Sequence, residues 1–312
     1  MKSVTFDPGL TQQYTGSIRR FVNDDGRFNV RRVGVSWRDI HPYLYMINTS
    51  WPRFLVDVFA GYLALNVLFA VIYWSVGVEH LKGADAPTAT GRFLNAFFFS
   101  AHTLTTVGYG SIFPVGVVAN SIAALEALFG LMAFALATGI LFGRFSRPAA
   151  RLAFSEHMIV APYGDGSSLQ LRVANRRSNN LMELEASILM ATAEQVDGQM
   201  QRKYKALTLE RQTVMFLPLT WTIVHPIDEN SPLFGKTPDD LAAIEAEFLV
   251  LVKGFDDTFY QWLHSRRSYR YDHIVWGARF EPAFIIGEDG DMVLEMGRLS
   301  KHKPSAQSAI VS

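Results

Sequence analysis

The sequence predicts a two-part chain, in which an α-helical membrane domain precedes an all-β domain. Two long apolar segments, at 54–76 and 115–142, flank a shorter apolar run at 93–104. From about His157 onward, short β-rich runs alternate with turn sequences. A length of 312 residues suggests two domains, and 49% hydrophobic residues fit a membrane part joined to a larger soluble part.

The overall composition excludes several classes of function. The formal net charge is zero, which argues against a nucleic-acid partner held by bulk charge. The chain has no cysteine, so disulfides, thiolate metal sites and cysteine nucleophiles are excluded. The first 50 residues are polar and lack the apolar core of a cleavable signal peptide, so we expect residues 1–36 to form an N-terminal cytoplasmic segment.

The two long apolar segments predict two transmembrane helices. Residues 54–76 would extend about 34 Å as a helix, and residues 115–142 about 42 Å, so the second helix must tilt in the bilayer. Arginines precede the first segment and follow the second. By the positive-inside rule, we expect a multi-pass protein of the inner (plasma) membrane with both termini in the cytoplasm.

The run at 93–104 is too short to span a bilayer and predicts a re-entrant half-helix. It leads into Thr-Thr-Val-Gly-Tyr-Gly at 105–110. In potassium channels, four TVGYG loops replace the hydration shell of the ion with backbone carbonyls. Glycine at 108 and 110 permits positive φ, so successive carbonyls can face one axis. The predicted selectivity filter is Thr105, Thr106, Val107, Gly108, Tyr109 and Gly110, with K⁺ bound at Thr106, Val107, Gly108 and Tyr109.

One copy of this loop lines only a quarter of a pore, so the sequence predicts a homotetramer around a fourfold axis. Helix, pore helix, filter and helix then form a membrane α-helical pore domain at 51–148.

Five residues of the second apolar segment recur every four positions, namely Glu126, Gly130, Phe134, Thr138 and Phe142. Glu126 is the one carboxylate of this helix, and we consider either a structural partner behind the filter or an ion ligand. Phe142 from four subunits could form a hydrophobic constriction near the cytoplasmic end. The alternative for the phenylalanines is packing against lipid or a neighbouring helix.

The many short candidate strands in the second half of the chain predict an all-β sandwich. It contains no GxGxxG motif, which argues against a Rossmann-type nucleotide-sensing domain. A short helix is predicted at 238–246, capped by Thr237. The candidate strands are 158–162, 169–174, 185–190, 214–217, 220–224, 248–253, 273–276 and 292–296.

Three stretches beyond the filter itself resemble the prokaryotic inward-rectifier potassium channels. They are AFFFS at 96–100, GRFSRP at 143–148, and WTIVHPID at 221–228 followed by SPLFG at 231–235. The last stretch is the discriminating one, because the filter belongs to all potassium channels. The resemblance covers about residues 35–300.

The resemblance implies an immunoglobulin-like cytoplasmic sandwich at 155–300 that tetramerises and extends the pore, followed by a flexible tail at 301–312. It makes residues 37–48 similar to an interfacial slide helix. It implies a gate at Phe142 with Phe134 as a second ring facing the cavity, and no cofactor besides K⁺. Animal relatives commonly carry Asn or Asp where Phe134 stands, which argues against strong rectification here.

Regulation by lipid is also expected from position. Arginines beside the membrane segments could contact an anionic phospholipid or phosphoinositide, although they could equally serve only as a topology signal. Bacterial members of the family are typically inhibited by phosphoinositides. The candidate lipid-binding residues are Arg38, Arg53, Arg144, Arg147 and Arg151.

His102 lies in the pore helix, where relatives often carry Glu or Gln. A neutral hydrogen-bonding residue behind the filter and a proton sensor are both possible roles for it.

Two other functions compete with potassium conduction. A membrane-anchored enzyme or binding module is disfavoured because His157, His225, His264 and His273 are scattered and no HExxH or nucleophile motif occurs. A closer alternative is a two-helix potassium channel gated by a small cytosolic ligand that binds the sandwich.

Overall fold

The computed structural model describes residues 9, 13–14, 23, 28–31, 33–34, 41–146, 152–196 and 199–305. The chain divides into two compact units. A membrane unit comprises residues 33–147, and a β unit comprises residues 1–32 and 148–312.

The described residues of the membrane unit form four α-helices. Two of them, of 26 and 29 residues, are long and apolar enough to cross a membrane. Only 17% and 11% of their most apolar windows are buried, so most of their apolar surface is open on a single chain. The helices are α1 (Pro42–Asn48), α2 (Trp51–Val76), α3 (Ala89–Leu104) and α4 (Val117–Phe145), with a 3₁₀ turn at Val78–His80.

The helix limits differ from the predicted ones for local reasons. Helix α2 begins three residues early because Pro52 suits the first turn of a helix. Helix α3 begins at Ala89, since the Thr88 hydroxyl accepts a hydrogen bond from the Gly91 amide at 3.0 Å. Helix α1 covers 42–48 of the predicted slide helix, and residues 37–40 lie outside the described residues.

Seventeen described strands complete the two units, and they fall mostly in the β unit. In chain order they are β1 (Gln13–Tyr14), β2 (Leu81–Lys82), β3 (Phe113–Pro114), β4 (Leu152–Phe154), β5 (Met158–Tyr163), β6 (Gly166–Asn175), β7 (Leu181–Val196), β8 (Gln199–Leu207), β9 (Thr213–Phe216), β10 (Thr220–Ile227), β11 (Glu247–Asp256), β12 (Gln261–Arg270), β13 (Ile274–Trp276), β14 (Ala278–Phe280), β15 (Phe284–Ile286), β16 (Met292–Leu294) and β17 (His302–Pro304). The β unit also contains helix α5 (Pro238–Ala243) and 3₁₀ turns at Tyr271–His273 and Met296–Arg298.

Two main sheets form the β unit. One has the order β1-β8-β7-β11-β12, with β9 also paired to β7, and the other has the order β10-β6-β5-β13, with β4 paired to β6. One buried cluster contains Leu171 and Ile223 from the second sheet together with Ile188 and Phe248 from the first. The sheets therefore share one core, which is the packing of a β-sandwich.

Some strands are absent from the sequence prediction because their composition is polar. Strands β8 and β12 carry several lysines or arginines, and charged residues are typical of strands near a sheet edge. The predicted flexible tail at 301–312 is wrong for its first residues, because β17 pairs with β14, with His302 opposite Phe280. Residues 306–312 lie outside the described part of the chain.

Helix α5 has the predicted cap at Thr237. The Thr237 hydroxyl accepts from the Asp240 amide, and the Asp240 carboxylate accepts from the Thr237 amide at 2.8 Å. Hydrogen bonds from the Thr237 backbone amide and hydroxyl lower the pKa of Asp240. The helix ends at Ala243, three residues earlier than predicted.

His225 and Ser231, two residues of the distinctive segment 221–235, are joined by a buried hydrogen bond. Nδ1 of His225 donates to the Thr208 carbonyl at 2.6 Å, and its Nε2 accepts from the Ser231 hydroxyl at 2.8 Å. The same hydroxyl oxygen accepts from the Leu233 amide at 3.1 Å. Burial lowers the pKa of His225 against the opposing effect of the Thr208 hydrogen bond. The neutral imidazole thus joins strand β10 to the turn that follows it.

We expect the stability conferred by His225 to be present above its ordinary pKa of 6.5 and to be lost as the pH falls through the lowered folded-state value. Between about pH 7.5 and pH 5.5, the wild-type melting temperature should fall more than that of His225→Gln. Melting of the purified full-length protein measures this difference. Exposed His264 provides a control, and His264→Gln should keep the wild-type slope. Equal slopes in wild type and His225→Gln would contradict the assignment.

Candidate functional site

Hydrogen bonds from its backbone amides attach the predicted filter to the C-terminal end of α3. The amides of Val107 and Gly108 both donate to the His102 carbonyl, at 2.9 and 3.2 Å, and the Thr106 amide donates to the Thr103 carbonyl at 3.0 Å. These three amides point back toward the helix, so the carbonyls of the same trans peptides, those of Thr105, Thr106 and Val107, face the other way.

The backbone of the filter alternates in handedness. Thr106, Gly108 and Gly110 have φ of 59°, 58° and 78°, whereas Val107 and Tyr109 do not have positive φ. Such alternation turns successive peptide planes the same way, unlike a strand, in which they alternate. Glycine tolerates this conformation at 108 and 110, but threonine at 106 is strained by it.

The filter carbonyls have no partner of their own. Across residues 41–146, which are all described, no hydrogen bond has a carbonyl of residues 106–110 as its acceptor. The Tyr109 side chain is 74% exposed on the single chain, and its ring meets the His102 ring edge-on at 4.8 Å between centroids. A row of unbonded oxygens is therefore supported from behind by the last turn of α3.

A buried polar network fastens α3 to both long helices. Glu126 of α4 accepts from the Tyr73 hydroxyl of α2 at 2.7 Å and from the Ser100 hydroxyl of α3. The Ser100 oxygen also lies 3.2 Å from Oδ1 of Asn66, whose amide donates to the Tyr62 carbonyl. Asn66, Ser100 and Glu126 are fully buried, so each polar group depends on these partners.

Gly130 brings the inner helix against the end of α3. A Cβ at this position would lie 2.1 Å from the carbonyl oxygen of Leu104, a distance that no side chain tolerates. Glycine is required here because the backbone at the base of the filter occupies the space of a side chain.

The loops on either side of the filter are joined by a short ladder. Strand β2 pairs with β3, with Leu81 opposite Pro114, and Leu81 is buried. A Cβ at Gly83 would lie 2.2 Å from the Ser111 carbonyl oxygen, so the two loops touch through their backbones. The filter is thus held after its last residue as well as before its first.

The four-residue row of α4 divides into two parts. Glu126 and Gly130 are buried against α3, whereas Phe134 and Phe142 are 74% and 72% exposed and Thr138 is also exposed. Residues four apart differ by about 40° in direction around the helix axis. The first residues of the row therefore face α3, whereas the later ones face away from the rest of the chain.

Arg144 is engaged inside the membrane unit. Its guanidinium donates to the carbonyls of Ile47 at 3.1 Å and Thr49 at 2.8 Å, and to that of Met46. It also lies 4.6 Å from the ring centroids of both Trp51 and Phe54. These contacts satisfy the carbonyls at the C-terminal end of α1, where a cation is favoured.

Of the other predicted lipid-binding arginines, Arg53 lies among the described residues. Arg53 is exposed, with its guanidinium 5.8 Å from the Tyr45 ring centroid. Arg38, Arg147 and Arg151 lie outside the described residues.

Part of the support of the filter was not predicted from the sequence. Asn66, Tyr73 and Ser100 were not singled out, although an asparagine within an apolar span was a usable signal. Within the described residues, no group of three or more His, Asp or Glu side chains could hold a metal ion.

Comparison with known proteins gives matches over both units. The family model "Inward rectifier potassium channel C-terminal domain" matches residues 152–309, and the model "Ion channel" matches residues 61–147. The inward rectifier potassium channel Kirbac3.1 of Paramagnetospirillum magnetotacticum is 35% identical over 89% of this chain and 94% of its own length.

Animal relatives match at lower identity. The ATP-sensitive inward rectifier potassium channel 12 of Mus musculus is 27% identical over 85% of this chain and 67% of its own. The inward rectifier potassium channel 4 of Homo sapiens is 26% identical over 90% of this chain and 72% of its own.

We expect Gly130→Ala to displace the end of α3, because the added Cβ meets backbone that cannot move alone. Overpacking of this kind costs about 1–3 kcal/mol, and rubidium uptake into liposomes should be lost. Gly61→Ala is the matched control, since Gly61 lies in the other long helix and a Cβ added there would meet nothing within 4 Å. Equal uptake by the two variants would show that the close approach to Leu104 is not needed.

Proposed function

We infer that this chain, which belongs to the inward-rectifier potassium channel family, conducts K⁺ through a filter formed by Thr105–Gly110. The observation that carries this assignment is the row of unbonded carbonyls above the end of α3. Members of the family are ion channels and not enzymes, and they need no cofactor. In the filter, carbonyl oxygens would replace water around K⁺ at Thr106, Val107, Gly108 and Tyr109.

We propose that four copies assemble around the pore, as is typical of the family. One chain leaves Tyr109, Phe134 and Phe142 largely exposed, and a membrane protein would cover such surfaces with neighbouring subunits or leave them in the conduction path. A fourfold axis beside the filter would place these side chains either against neighbouring subunits or along the conduction path.

His102 and Glu126 are proposed as supports of the filter, with different tasks. His102 supplies the carbonyl that receives two filter amides, and its ring backs Tyr109. Glu126 lies behind α3 and bonds to the hydroxyls of Tyr73 and Ser100. These contacts support a structural role for Glu126 over that of an ion ligand.

Phe142 is proposed as the gate and Phe134 as a second ring, with Thr138 between them in the cavity wall. All three side chains are exposed beyond the contacts that α4 makes within its own chain. Four phenylalanine rings at one level would form a constriction that excludes water and therefore ions.

Arg53 is the described arginine best suited to an anionic phospholipid or phosphoinositide, because it is exposed at the start of α2. The guanidinium of Arg144 is already bonded to carbonyls near the end of α1, which supports a structural role for it. Arg38, Arg147 and Arg151 remain candidates from the sequence. We place the protein in the inner (plasma) membrane with both termini cytoplasmic, following the arginine distribution.

Rubidium uptake into liposomes tests conduction and lipid inhibition together. We expect barium-sensitive uptake by the wild type that phosphoinositide reduces. In Arg53→Gln, half-inhibition should need about fivefold more lipid, since one head-group contact contributes about 1 kcal/mol. Arg92→Gln, which removes an exposed charge at the start of α3, should behave as the wild type. Absence of barium-sensitive uptake would refute the channel assignment, and indifference to phosphoinositide would refute only the lipid proposal.

Phe142→Ala should raise the rate of rubidium uptake severalfold, because a smaller side chain widens the constriction and lets water enter. Leu136→Ala is the control, since Leu136 is also exposed on α4 but lies about 120° around the helix from Phe142. Unchanged uptake in Phe142→Ala, or an equal rise in Leu136→Ala, would remove Phe142 from the gate.

A further inference from the structure

A row of three oxygen–oxygen contacts runs through the buried polar network behind the filter. The Tyr73 hydroxyl lies 2.7 Å from Oε2 of Glu126, and the Ser100 hydroxyl contacts Oε1 of the same carboxyl group. The Ser100 hydroxyl also lies 3.2 Å from Oδ1 of Asn66. Because each contact joins two oxygen atoms, each needs one hydrogen between them.

The two hydroxyl groups supply only two of these three hydrogens, since a hydroxyl carries a single one. If Tyr73 and Ser100 both donate to an ionised Glu126, no hydrogen remains between Ser100 and Asn66. Oδ1 of Asn66 would then have no donor, because within residues 41–146, which are all described, Ser100 is the one donor that reaches it. Asn66 is fully buried, so this would leave a polar atom unsatisfied.

Asn66 does not supply the missing hydrogen by exchanging the nitrogen and the oxygen of its amide group. Its Nδ2 donates to the Tyr62 carbonyl oxygen at 2.8 Å, one turn earlier in α2. The exchange would place Oδ1 against that carbonyl oxygen, and neither atom could donate. The hydrogen bond to Tyr62 therefore fixes the amide, with Oδ1 directed at Ser100.

Glu126 also lacks a positively charged partner. Its side chain is fully buried, and no lysine, arginine or histidine of residues 41–146 lies within 4 Å of its carboxyl oxygens. Glu247 in the β unit is nearly as buried, but it lies 3.0 Å from Arg202. A buried carboxylate without an ion pair loses its hydration uncompensated, whereas a carboxylic acid loses much less. Charge and hydrogen-bond count therefore favour the same protonation state.

We propose that Glu126 is a neutral carboxylic acid that donates its proton from Oε1 to the Ser100 hydroxyl oxygen. Ser100 then donates to Oδ1 of Asn66, and Asn66 donates to the Tyr62 carbonyl. The hydrogen bonds run in one direction from Tyr73 of α2 through α4 and α3 back to α2, and every contact holds a hydrogen. Glu126 is thus a positioning residue that fixes α3 without placing a negative charge behind the filter.

Infrared difference spectroscopy of the purified full-length protein detects this proton, because a carboxylic acid has a C=O stretching band that a carboxylate lacks. At neutral pH, one acid band should disappear in Glu126→Gln. Glu79→Gln is the matched control, since Glu79 is an exposed carboxylate of the same unit and its replacement should remove no acid band. Equal acid bands in wild type and Glu126→Gln would overturn the proposal.

Tyr73→Phe tests the same proton in a variant that keeps the carboxyl group. It removes the hydrogen bond to Oε2, which is the carbonyl oxygen of the proposed acid, so the acid band should move to higher frequency. Tyr62→Phe is the control, because only the backbone carbonyl of Tyr62 belongs to the network. An acid band that Tyr73→Phe does not move would refute the assignment to Glu126.

Rubidium uptake into liposomes tests the positioning role, and this measurement alone rests on the proposed conduction. Glu126→Gln should stay within about twofold of the wild type, because its amide can donate to Ser100 and accept from Tyr73 as the acid does. Glu126→Leu, of similar size but without polar atoms, should lower uptake about tenfold. Equal losses in both variants would contradict the role. Absence of uptake by the wild type would refute conduction and leave the infrared result unaffected.

Discussion

The position of α3 is the constraint on which the membrane unit depends. The amides of Val107 and Gly108 donate hydrogen bonds to the His102 carbonyl, so a rotation or sliding of α3 would move the filter with it. Ser100 and Glu126 fix its rotation through a buried hydrogen bond, and the contact between Gly130 and Leu104 fixes its depth. In apolar surroundings an unpaired polar group costs about 1–3 kcal/mol, so the network has one favourable arrangement.

The inner helix is held again near its other end. Arg144 bonds to carbonyls at the end of α1 and packs between Trp51 and Phe54, so the C-terminal turn of α4, α1 and the start of α2 share one set of contacts. Phe134 and Phe142 lie along α4 between Gly130 and Arg144, the two places where this helix is held, and both side chains are largely exposed on the single chain. A displacement of α1 would therefore reach the proposed gate directly, whereas the filter is held by a separate network.

The sequence predicted what depends on composition and periodicity and missed what depends on single polar contacts. The apolar spans, the short re-entrant helix and the alternation of buried residues in β11 follow from water exclusion. Asn66 and Ser100 carry no pattern of their own, because their roles arise from partners distant in sequence. The limits of α3 moved because one hydroxyl, that of Thr88, caps it. Arginine at 144 was judged from its charge, although its guanidinium donors find carbonyls within the chain.

The two motifs that identified the chain differ in physical origin. Residues 105–110 have their sequence because the backbone must alternate in handedness, which glycine permits and other residues resist. Residues 221–235 have theirs because a buried, neutral His225 needs a donor at Nε2, which Ser231 supplies, and an acceptor at Nδ1, which Thr208 supplies. The second motif is therefore explained by hydrogen bonding within the β unit. The first motif thus follows from the conformation of the backbone, whereas the second follows from the hydrogen-bonding needs of one buried side chain.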